Sequence, residues 1–253
     1  MVSMTDSGAT VLVTRTEPGA SELAEALRAV GHAVHCVPVL EILPLDDAEW
    51  RDVMRELDRF AIVICVSAHA ARFALERIDA EWKQRPELTW IAVGAATARA
   101  LAERGIAAQR PETESSEGIL ALAPLSRVVG QRVLICAGRG GRPLLAEELS
   151  GRGARVTSLV LYERVAVPVA RLAAKLRDGV VIGAVVVSSA DGARAFAPAW
   201  RAVGGDEGIV VVAPSERVAG ELRSLGFRRV TIAGGAGAGA TIEALRKRDE
   251  ETK

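Results

Sequence analysis

The sequence is poor in the residues that build metal sites and disulfide frameworks. Its 253 residues include only three cysteines, three histidines and one tyrosine. No CxxC or HExxH spacing and no cluster of histidines occurs, so nothing in the sequence supports a bound metal. Three is also an odd number for a disulfide framework. We therefore expect Cys36, Cys65 and Cys136 to be reduced thiols buried beside apolar runs.

An excess of charge of either sign is also missing. Lysine plus arginine and aspartate plus glutamate both total 32, which gives a formal net charge of zero. Because a protein that neutralises many phosphates needs a basic face, this balance argues against a nucleic-acid partner.

Long hydrophobic runs are absent as well. The longest apolar stretch, Val180–Val187, is far shorter than the roughly 18 residues that a membrane-spanning helix needs. The segment Met1–Thr10 has no basic region followed by an apolar run, so it does not look like a secretory signal. We therefore expect a cytoplasmic protein with no membrane partner.

What the chain does have is an alternation of short apolar runs with helical patterns. Hydrophobic residues make up 49% and charged residues 25% of the sequence, which is typical of globular proteins, and the length favours two domains. The alternation predicts βαβ units and parallel sheets, hence an α/β protein. The predicted strands are Thr10–Thr14, Ala33–Val37, Ala61–Val66, Thr89–Val93, Arg132–Cys136, Arg155–Leu161, Ile182–Val187, Gly208–Val212 and Arg229–Ile232.

The two halves of the sequence resemble each other, which indicates an internal duplication. Val11-Leu12-Val13 recurs 122 positions later as Val133-Leu134-Ile135, and Ser67 recurs 121 positions later as Ser188. Equivalent segments directly after a strand, 35–42 and 157–164, are candidate crossovers between the domains. We therefore predict one discontinuous domain of residues 1–37 plus 166–253, a second domain of residues 43–157, and linkers at 38–42 and 158–165.

Small and hydroxylated residues follow most of the predicted strands. Ligands of parallel α/β sheets bind outside the carboxyl ends of the strands, and backbone amides at helix N-termini favour anions there. An alternative stays open for each hydroxyl, which could simply cap its helix. The candidate anion-binding residues are Thr14, Arg15, Ser67, Ala68, His69, Gly94, Ala95, Thr97, Arg139, Ser188, Ser189, Ala190, Ser215, Glu216 and Arg217.

Tyr162 is the only tyrosine in the chain and lies in the second predicted crossover. A phenol with the ordinary pKa of about 10 is protonated at neutral pH and can act as a general acid. A tyrosine that merely packs at a domain junction, with its hydroxyl satisfied, is the alternative. The nearby run Gly138–Gly141 lacks the GxGxxG spacing of a dinucleotide site.

Taken together, these segments resemble the uroporphyrinogen-III synthases, especially those of proteobacteria, over Val11–Leu245. No single segment is specific, but their order and spacing are. The similarity rests on Val11-Leu12-Val13-Thr14-Arg15, Ser67-x-His69-Ala70, Val93-Gly94-Ala95-Ala96-Thr97-Ala98, Arg139-Gly140-Gly141-Arg142, Leu161-Tyr162-Glu163-Arg164, Val185-Val186-Val187-Ser188-Ser189 and Ser215-Glu216-Arg217.

The resemblance implies two flavodoxin-like domains joined by a two-stranded linker, and a monomeric cyclising hydro-lyase of heme and tetrapyrrole biosynthesis that needs no cofactor. It implies that the substrate is hydroxymethylbilane, a linear tetrapyrrole with eight carboxylates, with a possible hand-over from hydroxymethylbilane synthase. The product would be uroporphyrinogen III, in which ring D is inverted. Without the enzyme, the bilane closes to the uninverted isomer.

The resemblance also implies roles for particular residues. Tyr162 matches the family's proposed acid, and Thr97 and Ser67 match positions that contact the substrate's acidic side chains. Two positions depart from the family pattern: Val218 replaces a frequent threonine, and His69 stands where others have arginine. A non-catalytic homologue, either a two-lobed binder of small anions or a scaffold, is therefore the second hypothesis.

Overall fold

The computed structural model describes residues 10–46, 49–177 and 179–251. The segment Met1–Thr10, which we expect not to be a secretory signal, lies outside these residues except for Thr10. The chain divides into two compact units. The first consists of the chain up to Glu41 and from Val165 onward, and the second consists of Ile42–Arg164. Both borders fall inside the segments 38–42 and 158–165 that the sequence suggests as linkers.

The strands and helices alternate along the described chain, as the apolar pattern predicts. The strands are β1 (Thr10–Val13), β2 (Val34–Cys36), β3 (Leu40–Pro44), β4 (Ile62–Cys65), β5 (Thr89–Ala92), β6 (Arg132–Gly138), β7 (Arg155–Ala166), β8 (Ile182–Val186), β9 (Val210–Ala213) and β10 (Arg229–Ile232). The helices are α1 (Gly19–Ala29), α2 (Glu49–Arg55), α3 (Ala68–Glu81), α4 (Ala95–Ala102), α5 (Ser116–Leu120), α6 (Leu144–Gly151), α7 (Val169–Leu176), α8 (Ala190–Ala202), α9 (Glu216–Ser224) and α10 (Ala238–Glu251).

Within the described residues each unit contains one sheet, and the four strands that the two sheets have in common lie in the same order, with β10 as the fifth strand at one edge of the first sheet and β3 at the opposite edge of the second. The first sheet runs β2-β1-β8-β9-β10 with parallel pairing throughout, which is the flavodoxin-like order 2-1-3-4-5. The second sheet runs β3-β7-β6-β4-β5, and its members β7, β6, β4 and β5 are parallel. The predicted α/β class with parallel sheets is confirmed.

The shared strand order follows from the internal duplication. The pair β1 and β2 corresponds to β6 and β7, and the pair β8 and β9 corresponds to β4 and β5, as the offsets of about 120 residues predict. Apart from β3 and β10, each half of the sequence therefore contributes two neighbouring strands to one unit and two to the other. The chain assembles each unit from pieces of both repeats.

Strand β3 overlaps the segment 38–42, for which the family resemblance implies one of two linker strands, although Pro38 and Pro44 by themselves suggest a break. Its neighbour β7 continues to Ala166, five residues beyond the predicted end at Leu161. Backbone hydrogen bonds join Val167 to Val39 and Leu45 to Leu161, so β3 and β7 run antiparallel. The added ladder explains why β7 is longer than its sequence pattern suggests.

Apolar side chains cover both faces of each sheet. In β1, Val11 and Val13 lie in one buried cluster, whereas Leu12 lies in the cluster on the other face. In β4, Ile62 and Ile64 likewise face away from Val63. Alternate residues of a strand point to opposite faces, so a sheet that is buried on both sides needs strands that are apolar throughout.

None of the helices within the described ranges combines the length and apolar character needed to cross a bilayer.

All three cysteines are free thiols. Cys65 and Cys136 are fully buried partners in the register of β4 and β6. The hydrogen bond with Cys136, and then burial, raises the pKa of the Cys65 thiol well above its usual value. Burial also raises the pKa of the half-buried Cys36.

A thiol-specific disulfide reagent at mildly alkaline pH should therefore distinguish the cysteines. Because the thiolate is the reactive form, we expect Cys36 to react slowly in the native protein and Cys65 and Cys136 to react only after unfolding. Counting the released chromophore before and after adding denaturant checks this, and Cys36→Ser should abolish the native-state reaction. Rapid labelling of all three thiols in the native state would contradict the fold of the second unit.

Candidate active site

The second unit has a topological switch point between β4 and β6. Helix α3, which follows β4, packs on one face of the sheet, and α6, which follows β6, packs on the other. The segments that follow β4 and β6 therefore diverge at the ends of the strands, which is where open parallel sheets form ligand crevices. A cavity of about 480 Å³ lies at this point. Its lining includes Ser67, Ser116, Gly138, Arg142, Tyr162 and Arg164.

Tyr162 lies on β7 beside this cavity and is only 3% exposed. Its hydroxyl oxygen is 3.0 Å from Oγ of Ser67. The ring also lies beside the aromatic rings of His69 and Phe73, with centroid separations of 5.6 Å and 5.9 Å. The phenol is therefore fixed in one orientation by both packing and a hydrogen bond.

A change of register in the sheet helps to place this tyrosine. Ala137 pairs with Val160, but Gly138 pairs with Tyr162, so that Leu161 is an extra residue in β7. Such bulges redirect side chains and are frequent beside active sites. The single hydroxyphenyl group thereby reaches the end of β6, where the cavity begins.

Gly138 provides the space that the ring occupies. A Cβ atom added at this residue would lie 2.4 Å from Cζ and 2.8 Å from the hydroxyl oxygen of Tyr162. Gly138 is not among the glycines with positive φ, so its backbone does not itself demand glycine. The close approach of Tyr162 therefore accounts for the missing side chain.

Ser67 connects the tyrosine to a helix N-terminus. It is the N-cap of α3, and its Oγ accepts a hydrogen bond of 3.0 Å from the amide of Ala70. Ser189 caps α8 in the same way, through the amide of Gly192. Ser215 occupies the N-cap position of α9 without a side-chain cap bond. Helix capping therefore accounts for the hydroxyls of Ser67 and Ser189. The hydroxyl of Ser67 also contacts Tyr162.

Two guanidinium groups line the cavity. Arg142 is 65% exposed and forms an ion pair of 3.2 Å with Glu117 of α5. The pKa of Glu117 is lowered by a backbone amide hydrogen bond first, then by Ser115 and by Arg142. Arg164 is exposed where β7 reaches the border of the unit. Because guanidinium groups bind carboxylates through paired donors, this wall suits an acidic ligand.

The turn before α4 already binds a carboxylate of the protein. The amide of Ala95 donates a hydrogen bond of 2.7 Å to Oε1 of Glu114. A Cβ atom at Gly94 would lie 2.3 Å from the carboxyl carbon of that residue. The turn therefore has the anion-binding property that the sequence suggests, and Glu114 uses it. Thr97, in the first turn of α4, is buried.

The predicted residues at the end of β1, in the first unit, form internal contacts. The hydroxyl of Thr14 donates to the backbone oxygen of Val186 at 2.9 Å, and the guanidinium of Arg15 donates to that of Ala236 at 3.1 Å. These contacts hold the end of β1 against neighbouring segments.

The other predicted residues of the first unit lie after β8 and β9. Ser188 borders a void of only about 10 Å³, and Ala190 is buried in the first turn of α8. Glu216 forms an ion pair with Arg223, and Arg217 is exposed. Val218, where relatives often have threonine, is buried in the apolar core.

The structure therefore brings Ser67, Ala68, His69, Arg139 and Tyr162 together in the second unit. The amide of Arg139 donates to the backbone oxygen of Tyr162 at 2.8 Å, and its side chain lies 3.5 Å from Glu163. Sequence reasoning did not select Gly138, Arg142, Arg164 or Glu114 as site residues. The sequence shows the glycine-rich turn after β6, but it does not show that the ring of Tyr162 lies beside that turn. Across the described ranges, no group of three or more His, Cys, Asp or Glu side chains is placed to hold a metal.

The contact between Gly138 and Tyr162 predicts a strong coupling between these residues. Gly138→Ala should destabilise the protein by about 1–3 kcal/mol through overpacking, and the penalty should largely disappear when Tyr162→Ala removes the ring. Denaturant titrations of the two single variants and the double variant measure this coupling. Gly141→Ala is the matched control, because the nearest atom to its new Cβ would be at an ordinary 3.6 Å. Equal penalties with and without the ring would refute the assigned contact.

Comparisons with known proteins identify relatives along nearly the whole chain. The family described as Uroporphyrinogen-III synthase HemD matches residues 21–243. Uroporphyrinogen-III synthase of Escherichia coli (strain K12) is 30% identical, and the alignment covers 93% of this chain and 99% of that protein. The Salmonella typhimurium protein of the same name is 31% identical with the same coverage.

Solved structures show the same fold. Uroporphyrinogen-III synthetase from Helicobacter pylori 26695 aligns with a TM-score of 0.61 at 12% identity, covering 95% of this chain and 99% of that one. A mutant uroporphyrinogen III synthase from the extremely thermophilic bacterium Thermus thermophilus aligns with a TM-score of 0.54 at 19% identity, covering 97% and 100%. Because the family model and the sequence relatives match along nearly the whole length, and the fold agrees, the chain belongs to the uroporphyrinogen-III synthase family.

Proposed function

We propose that this protein is a cyclising hydro-lyase that converts hydroxymethylbilane to uroporphyrinogen III and water. The observation that carries the proposal is the single tyrosine of the chain, held by Ser67 beside a cavity at the switch point of the second unit. Family membership supports the reaction and the substrate. The two arginines of the cavity wall suit a substrate that bears eight carboxylates.

In the proposed reaction, Tyr162 transfers its phenolic proton to the hydroxyl group of the bilane. The carbon–oxygen bond breaks, its electron pair leaves with the oxygen as water, and electrons from the pyrrole nitrogen form an azafulvene on the first ring. Ring D then attacks through its substituted α-carbon, and the spiro intermediate opens and recloses with that ring inverted. The proton lost from ring D at the final closure restores the phenol.

The protein's remaining task in this proposal is to hold the bilane in a bent conformation. Orientation alone can contribute several kcal/mol to lowering a barrier of this kind. We propose that backbone amides of four turns bind the carboxylates: 67–69, 94–97, 188–190 and 215–217. At the turn 94–97, a substrate carboxylate would replace that of Glu114.

We also propose the setting in which the reaction occurs. The protein is a cytoplasmic monomer of heme and tetrapyrrole biosynthesis with domain borders in the segments 38–42 and 158–165. The bilane closes spontaneously to the wrong isomer, so a direct hand-over from hydroxymethylbilane synthase would limit that loss. No nucleic acid or membrane takes part.

The isomer formed from hydroxymethylbilane tests the function directly. With bilane generated in situ from porphobilinogen by hydroxymethylbilane synthase, we expect mainly type III product after oxidation and chromatographic separation of the porphyrins. The same mixture without the protein gives the type I background. Product that stays type I at increasing protein concentration would overturn the proposal and favour the non-catalytic binder or scaffold.

Replacement of the proposed acid tests the assigned residue. Tyr162→Phe should lower kcat by about 10²–10⁴-fold with little change in KM, because only proton donation is lost. The coupled assay measures both constants, and circular dichroism with thermal unfolding checks that the fold persists. A folded variant with near-normal turnover would show that Tyr162 is not the acid.

A further inference from the structure

We propose that Ser67 is a positioning residue whose hydroxyl donates a hydrogen bond to the oxygen of Tyr162. This inference rests on the proposed function and deepens it, since it assigns the hydroxyl of Ser67 to the acid and leaves only the backbone amides of 67–69 to a substrate carboxylate. The hydrogen bond directs the phenolic proton into the cavity and stabilises the phenolate that remains after transfer.

The first argument is the hydrogen-bond inventory of Ser67. A serine hydroxyl has one proton to donate and two lone pairs to accept with. The amide of Ala70 uses one lone pair at 3.0 Å, and the oxygen of Tyr162 also lies 3.0 Å away. The contact with Tyr162 allows either direction of donation, and the reaction selects one. Only a donor serine leaves the phenolic proton free for the substrate.

The second argument concerns the charge that develops during the reaction. When Tyr162 gives up its proton, its oxygen becomes negative while it is almost completely buried. A charged group in such surroundings needs a hydrogen-bond partner. The Oγ of Ser67 lies 3.0 Å from that oxygen and can supply one, and it is polarised by an amide at the positive end of α3. The serine thus connects the helix N-terminus to the phenolate.

The third argument is the placement of the pair. Ser67 follows β4 and Tyr162 lies on β7, two strands away in the order β7-β6-β4. The two side chains meet across the end of β6 because Gly138 has no side chain there. A glycine at that strand end therefore serves the contact between serine and tyrosine.

Kinetics separate this role from substrate binding. Ser67→Ala should lower kcat about 10- to 100-fold with KM nearly unchanged, and Ser67→Thr, which keeps a hydroxyl, should recover most of the activity. In the Tyr162→Phe background, Ser67→Ala should have almost no further effect. If Ser67 instead binds a substrate carboxylate, Ser67→Ala will raise KM and will do so equally in both backgrounds, which would overturn the proposal.

A spectroscopic measurement tests the hydrogen bond without substrate. Because Tyr162 is the only tyrosine, the rise in phenolate absorbance at alkaline pH reports on this residue alone. Losing a donor to the charged form should shift the midpoint of that transition upward by about one pH unit in Ser67→Ala, and Ser67→Thr should restore it. An unchanged midpoint in Ser67→Ala would contradict the proposed donation.

The loss of the helix cap is controlled separately. Ser189→Ala removes the same kind of bond, a 3.0 Å contact with the amide of Gly192 at the start of α8, so its thermal shift gives the cost of a missing cap. Activities are compared well below the unfolding temperature of every variant.

If the wild type forms no type III product, the proposed function fails, while the alkaline titration still decides whether Ser67 donates to Tyr162. If the wild type is active and Ser67→Ala matches it, only the role of Ser67 fails.

Discussion

The structure depends on one constraint, which is that a parallel sheet must be covered by helices on both faces. In the second unit this requirement sends the chain after β4 to one face and the chain after β6 to the other. The two strand ends are left without covering chain between them, and the cavity lies there. The position of the site thus follows from how the sheet is buried. The topology provides the cavity, and the side chains of the site line it.

The internal duplication gives both units this topology, and the second unit holds the cavity of about 480 Å³ beside Tyr162. In the first unit, the side chains of Thr14 and Arg15 donate to backbone oxygens of the same unit, and the void beside Ser188 measures only about 10 Å³. The repeats have therefore diverged in their side chains, while the order of the four equivalent strands stayed the same. A buried core tolerates such divergence because it requires apolar volume, whereas the turns carry the specific groups.

Local electrostatics show how the same physical property can serve two purposes. Helix N-termini attract negative charge, and the chain uses this with Glu114 at α4 as well as with the hydroxyl of Ser67 at α3. The first case satisfies amides within the protein. The second transmits the polarity of the helix to a tyrosine beside an open cavity, which is why Ser67 and Tyr162 carry the proposed chemistry.

The sequence by itself determined the α/β class, the repeat and most strand positions, because apolar periodicity and offsets of about 120 residues can be read directly along the chain. It also pointed to Tyr162 and Ser67 as separate candidates. Only the tertiary structure decided that these two side chains form a pair, since they are 95 residues apart and meet through a bulge in β7 and a missing side chain at Gly138. The role of Glu114 was equally out of reach, because it depends on a contact with the amide of Ala95 in a separate turn. Contacts of that kind are fixed by packing and register, which no short stretch of sequence encodes.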